Sequence, residues 1–282
     1  TQQAAAVFAT DLWLAGIGHR ATHTLAAEGL ADLLTALKRA TLSRGSPTSQ
    51  LAAFSCLARL LSTLCGRCDA ERTPAVYRTF VYALVEADTS IVRHFAMRNL
   101  MDFLKDHDGV PVGILAELML KKFTLAAGEP LALIDVELFL VIVKHPRCAV
   151  RHAAQIAQVL ARASVEDADV GRAASLPLLA ILQRFAEDEE IAVFFGRLVQ
   201  ISLAKLIQRG IPKSQVVHIH ELFAKVVSLQ EPRWQSMVRS FLLDVCKAYL
   251  SNYEALHPNL QVLLDLWPSE DDALRAWAEA QF

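Results

Sequence analysis

The chain has 282 residues, of which 54% are hydrophobic and only 7% aromatic, so its apolar weight rests on Ala, Leu and Val, a helix-forming composition. A net charge of −2 supplies no global field to draw it to nucleic acid or an anionic membrane, and no apolar run approaches the roughly 18 residues of a membrane span. Five unevenly spaced cysteines, an odd number, argue against a disulfide framework and for a reducing, cytoplasmic setting.

In chain order, the opening Thr1-Gln-Gln-Ala4 has no initiator Met and no basic n-region, and Asp11 interrupts the first apolar stretch. No signal peptide is expected, and the chain reads as a segment of a longer protein. His19 and His23 stand at i, i+4 spacing, and Cys65-Gly-Arg-Cys68 is a CxxC, so these four residues contain the ligand types of a tetrahedral zinc site. The alternative is that Cys65 and Cys68 continue the apolar face of the preceding helix, with no metal bound. That helix is announced by Ser46-Pro47-Thr48, with Thr48 or Ser49 as its cap, and by Leu57, Leu60, Leu61, Leu64 and Cys65 on one face.

Further boundaries are expected wherever Pro sits at a helix start or stop: Thr73-Pro74, Val110-Pro111, Glu129-Pro130, His145-Pro146, Ile211-Pro212, Glu231-Pro232 and His257-Pro258. Leu131 to Val143 is apolar nearly all round despite Asp135 and Glu137, which predicts a helix with neighbours on several sides. Lys144, His145, Arg147, Arg151 and His152 make the next turn and helix start the most basic local segment, the candidate site for an acidic peptide or phosphate. The carboxylates around Glu166, Glu187 and Glu270 lack the alternating ligands of a calcium loop and read as helix caps. Val216 to His220 resembles a short strand, yet Leu222, Phe223, Val226 and Val227 continue a helical stripe through it, so no strand is expected. Trp234, Met237, Val238, Phe241, Leu242 and Val245 form another such stripe, and Trp267 and Trp277 mark a terminal unit read as a cap on the last core layer. About 13 helices of roughly 10 to 20 residues result, joined by short loops, so that consecutive helices run antiparallel.

One motif recurs. Val92-Arg93 with Ala96, preceded by Asp88, resembles the opening of the second helix of a HEAT repeat; Val150-Arg151 with Ala153 and Ala154 repeats its core, and Val238-Arg239 is a third copy without the small residue. Pro177, inside an otherwise helical stretch, resembles the proline of a HEAT first helix. Physically, the Val and Ala bury between layers, and Arg93, Arg151 and Arg239 reach an Asp or the carbonyls ending a nearby helix. The Val-Arg pairs lie 58 and 88 residues apart. The second gap fits two units of about 44 residues and the first fits no multiple, so the repeats are degenerate.

The resemblance implies an all-α fold: an α-solenoid, an armadillo/HEAT-like superhelix of antiparallel helix pairs, taken as a single domain over residues 1–282. It implies a non-enzymatic protein–protein interaction scaffold within a larger assembly, binding through a concave face or interhelical loops, with cytoskeletal or ciliary attachment within the family's range. No GxSxG, P-loop, GxGxxG followed by an acidic residue, or HExxH occurs, so no catalytic residue, cofactor or small-molecule substrate is expected. Two alternatives stay open. One is a transport-receptor-like or nucleic-acid-binding repeat protein using Lys144, Arg147, Arg151 and His152; the other is a metal-dependent helical protein using His19, His23, Cys65 and Cys68.

Overall fold

The structure, a computed structural model, describes residues 4–5, 7, 9–10, 23–43, 46–67, 69–87, 89–107, 109–125, 131–166 and 168–266. Twelve helices follow one another from His23 onward: α1 (His23–Thr41), α2 (Pro47–Gly66), α3 (Thr73–Glu86), α4 (Ser90–Asp106), α5 (Gly113–Leu125), α6 (Leu133–Lys144), α7 (Val150–Glu166), α8 (Ala168–Arg184), α9 (Glu189–Leu206), α10 (Lys213–Val227), α11 (Pro232–Ser251) and α12 (Tyr253–Leu266). The fold is all-α. Among the described residues there is no strand, and Val216 to His220 lies within α10.

Local chemistry sets the ends. The cap of α2 is Ser46, one position before Pro47 and not Thr48 or Ser49: the Ser49 N–H donates to Ser46 Oγ at 3.3 Å. Pro47 accounts for the correction, because Pro favours the first helical position, where its absent N–H would have no partner in any case. Asp188 caps α9, its Oδ1 accepting from the N–H groups of Glu190 (2.9 Å) and Ile191 (3.2 Å), as expected of that acidic run. Asp135 does not interrupt the apolar run around it; its Oδ2 accepts the Ala132 N–H at 3.2 Å, at the start of α6. The boundary expected at His257-Pro258 falls elsewhere, since α12 begins at Tyr253 and passes through Pro258. Proline there removes a single intrahelical bond next to the first turn, whose N–H groups have no intrahelical acceptor anyway. Pro177 likewise stands inside a continuous α8.

The chain divides into two compact units, Thr1–Ala127 with His145–Cys148, and Gly128–Lys144 with Ala149–Phe282. In the first, α2 packs on α1, α3 and α4, while α3 packs on α1, α2, α4 and α5. From α1 to α3 each helix meets both its successor and the helix after that, giving one row of α1, α3 and α5 and a second of α2 and α4. Leu57, Leu60, Leu61 and Leu64 are buried between rows, as their spacing predicts, and Phe54 meets Phe80 edge-to-face with centroids 5.4 Å apart.

The second unit repeats the scheme, with α6, α8, α10 and α12 in one row and α7, α9 and α11 in the other. Its core is aromatic. Phe195 meets the Trp234 ring at 5.1 Å, and Phe223 meets Phe241 at 4.2 Å. The Trp234 indole N–H donates to the Leu182 carbonyl at 3.0 Å, and Arg184 Nη1 donates to the Val143 carbonyl at 2.9 Å. Both acceptors lie in the last turn of a helix, α8 and α6, where carbonyls lack intrahelical donors. Along α6, Ile134, Val136, Leu138, Phe139, Ile142 and Val143 are buried but Leu133 is 53% exposed, so the apolar surround is not complete.

Candidate partner-binding surfaces

The basic segment after α6 does not present all its side chains to solvent. Lys144, Arg147 and Arg151 are exposed, whereas His145 and His152 are buried. The two histidines are thereby withdrawn from direct partner contact. Each sits where the chain turns into or begins a helix, and the His145 carbonyl and ring nitrogen Nδ1 accept the N–H groups of Cys148 and Arg147, at 3.0 and 3.2 Å. In the first unit, Arg147 Nη1 donates to the Gly109 carbonyl at 2.7 Å. Lys144 and Arg151 belong to the second unit.

The three Val-Arg pairs are not equivalent. Val92, Arg93 and Ala96 are all buried on α4, while Arg151 and Arg239 are exposed and Val150 is only half-buried. Arg184 meets the Val143 carbonyl at the end of α6, and Arg233 lies with its Nη1 3.4 Å from the Ala186 carbonyl while its Nη2 pairs with Glu189 at 3.0 Å.

Of the four proposed zinc ligands, His19 and Cys68 lie outside the described residues, as does the His23 side chain; Cys65 is half-buried in the last turn of α2. The turn that follows is held by Asp69, which accepts the Arg72 backbone N–H at 2.9 Å and its guanidinium at 2.8 Å. Burial pushes the Asp69 carboxyl up, but these hydrogen bonds outweigh it and hold the group below its usual value. Among the described residues, no three His, Cys, Asp or Glu side chains gather in a form that would hold a metal. Trp267 and Trp277 also lie outside the described residues.

Two arrangements went unread in the sequence. The first is buried: His220 on α10 lies with its Nε2 3.5 Å from the Tyr249 hydroxyl on α11, the rings edge-to-face, and Cys246 one turn earlier on α11. Burial alone takes His220 down to about 4 and the Cys246 thiol up to about 11; burial, with Cys246 adding to it, also raises Tyr249. All three groups are neutral near pH 7 and closed to solvent, so the cluster is packing, not a nucleophile with its base.

The second is exposed. Arg151, Gln155, Gln158 and Arg162 recur at i, i+4, i+7 and i+11 along α7, and Val193, Arg197, Gln200 and Ala204 do so along α9, with Ile201 at i+8. Ser236, Arg239, Ser240 and Lys247 continue the series on α11. Because α9 packs on both α7 and α11, these stripes are neighbours on the solvent side of one row. In the first unit, an open depression of about 400 Å³ lies between α2 and α4, lined by Ser55, Arg59, Ser62 and Asn99 among others. The Ser55 hydroxyl and Asn99 amide donate to carbonyls of their own helices.

The chain matches no family model, no curated protein and no solved structure. Among the described residues no helix is long and apolar enough to cross a membrane.

Proposed function

We propose that this protein is a non-enzymatic interaction scaffold, an α-solenoid of the HEAT/armadillo kind that binds another protein within a larger assembly. The observation that carries the reading is the packing of each helix against the next but one in both units, which sets helix pairs side by side and leaves one face of every row open. Large apolar side chains stand on those open faces, notably Ile91 on α4, Leu176 on α8 and Val193 on α9, and such residues bury on contact with a partner. The odd cysteine count supports an intracellular assembly, and cytoskeletal or ciliary attachment is the setting the repeat resemblance favours. Lys144, Arg147 and Arg151 are the residues of the basic segment able to touch a partner.

The test is affinity purification of the full-length protein from its native cell, comparing wild type with the Arg147→Glu/Arg151→Glu variant by mass spectrometry. A discrete set of proteins that thins in the variant is expected. If no protein partner is retained at any salt concentration, the scaffold reading is wrong.

A further inference from the structure

In the second unit, α8 packs on α6 to one side, on α10 to the other and on α7 behind, which leaves its fourth side open. Leu176 stands at the middle of that side, 57% exposed, with Leu179 and Ala180 half-buried one turn on. Open stripes flank it. On α6 the stripe reads Leu133, Glu137, Val141 and Lys144, at i, i+4, i+8 and i+11; on α10 it reads Ser214, Val217, Glu221 and Lys225, at i, i+3, i+7 and i+11. Leu133, Glu137, Lys144 and Lys225 are exposed, and Val141, Val217 and Glu221 half-buried.

Successive helices run antiparallel, so α6, α8 and α10 run the same way, and on both flanks the carboxylate comes before the ammonium. A face of one charge sign would repel its own copy. This one, turned by a twofold axis through α8, lays α6 of one chain antiparallel over α10 of the other and brings opposite signs together. In the register that sets Glu137 against Lys225 of the second copy, Lys144 comes within one turn, about 4.5 Å along the axis, of Glu221 of the second copy. The axis repeats both pairs, giving four around an apolar centre. Among the described residues, none of these four charged side chains forms an ion pair within its own chain. The other charges nearby are accounted for: Arg172 pairs with Asp169 at 4.0 Å at the start of α8, Arg184 is tied to the Val143 carbonyl, and Lys213 is turned about 100° from Ser214. Helices of 12, 17 and 15 residues, about 9 Å apart, form a face of roughly 20 by 28 Å, whose accessible area approaches the roughly 800 Å² per partner of a stable pair.

We propose that this face pairs with a second copy of the chain, Leu176 against Leu176, with Glu137 on Lys225 and Lys144 on Glu221 of the second copy. The pairing goes beyond the scaffold reading and does not depend on it.

Sedimentation velocity of the full-length protein from 1 to 100 μM, as about the range for an interface of this size, should show a monomer passing to a dimer. Leu176→Asp should weaken the dimer at least about a hundredfold, since the axis doubles the loss. Glu137→Lys or Lys225→Glu alone should each weaken it about tenfold or more. Two combinations then read the register itself. Glu137→Lys/Lys225→Glu in one chain should restore the dimer, and the two single variants, mixed, should pair with each other. Circular dichroism melts check that each variant is folded, and the charge pairs keep the test intact if Leu176→Asp is not. A monomer at every concentration, a dimer that Leu176→Asp and both reversals leave unchanged, or reversals that the double variant does not rescue would each overturn the proposal. So would capture of a different protein by the Leu176 face of a monomeric chain, which would assign that face to a foreign partner. The scaffold reading survives all of these outcomes, because its own test is retention of protein partners.

Discussion

At the scale of single residues, burial decides which groups can act. His220 has a folded-state value of about 4 because burial disfavours its charged form, against roughly 6.5 in an unfolded chain. The unfolded state therefore binds the extra proton first as pH falls, and stability contributed by the neutral ring is complete above about pH 6.5 and lost progressively down to about pH 4. Urea titrations across that range should show a loss of about 3 kcal/mol, an upper figure, from this residue. His220→Phe should flatten the slope, and an unchanged pH dependence in that variant would remove His220 as its source. Cysteines sort in the same way. Cys56, Cys148 and Cys246 are buried and Cys65 is half-buried. Timed alkylation of the native protein should modify Cys65 well before those three, and prompt modification of Cys246 would contradict the packing of α10 on α11. Neither histidine pattern was legible beforehand: His218 and His220, two apart, point to different sides of a helix, so finding both buried requires neighbours on several sides. In α10 these are α7, α8, α11 and α12, contacts that periodicity along one segment cannot report.

At the scale of the element, apolar stripes were read well and helix ends less so. The α2 and α11 stripes are buried where their spacing places them, but Met237 and Cys65 at their margins are half-buried. Proline marked most of these positions correctly, Pro47 and Pro232 opening helices and Pro177 standing inside one, but Pro258 also stands inside a helix where a boundary was expected, because a helix packed along its length tolerates one lost bond that an isolated segment would not. The candidate surface was half legible for a similar reason. Clustering in sequence found Arg147 and Arg151, while Arg197 and Arg239 stand alone in sequence and become neighbours of the α7 stripe only through packing. Two variants test the element contacts. Leu138→Asp places a carboxylate in a fully buried position of α6 and should cost several kcal/mol, on the order of 3 to 5; Val150→Asp, at a half-buried position, should cost less. Chemical denaturation gives both, and equal costs would dispute the burial difference. Arg184→Ala, which uncovers the Val143 carbonyl, should cost about 1 kcal/mol by the same measurement.

At the scale of the whole molecule, the all-helical class follows from composition and period, and the two-row arrangement within each unit from the short loops that force successive helices antiparallel. The division into two units was not legible, since the helical period runs on unchanged through Leu131 to Val143 on the far side of the division. Packing between near neighbours along the chain predicts a graded stability in place of one uniform value. In the second unit, α8 packs on α6, α7 and α10, whereas α12 packs on α10 and α11 and carries Pro258. Hydrogen exchange read by mass spectrometry should show α12 exchanging first and α8 last; the reverse order would argue against nearest-neighbour stabilisation. Trp234 adds an optical consequence. Enclosed, with its indole edge-on to Phe195 and its N–H held by Leu182, it is an intrinsic fluorophore shielded from water and from quenchers. In a chain whose Trp13, Trp267 and Trp277 are replaced by Phe, its emission would be blue and insensitive to acrylamide, and a red shift would time the moment at which α11 parts from α8 and α9.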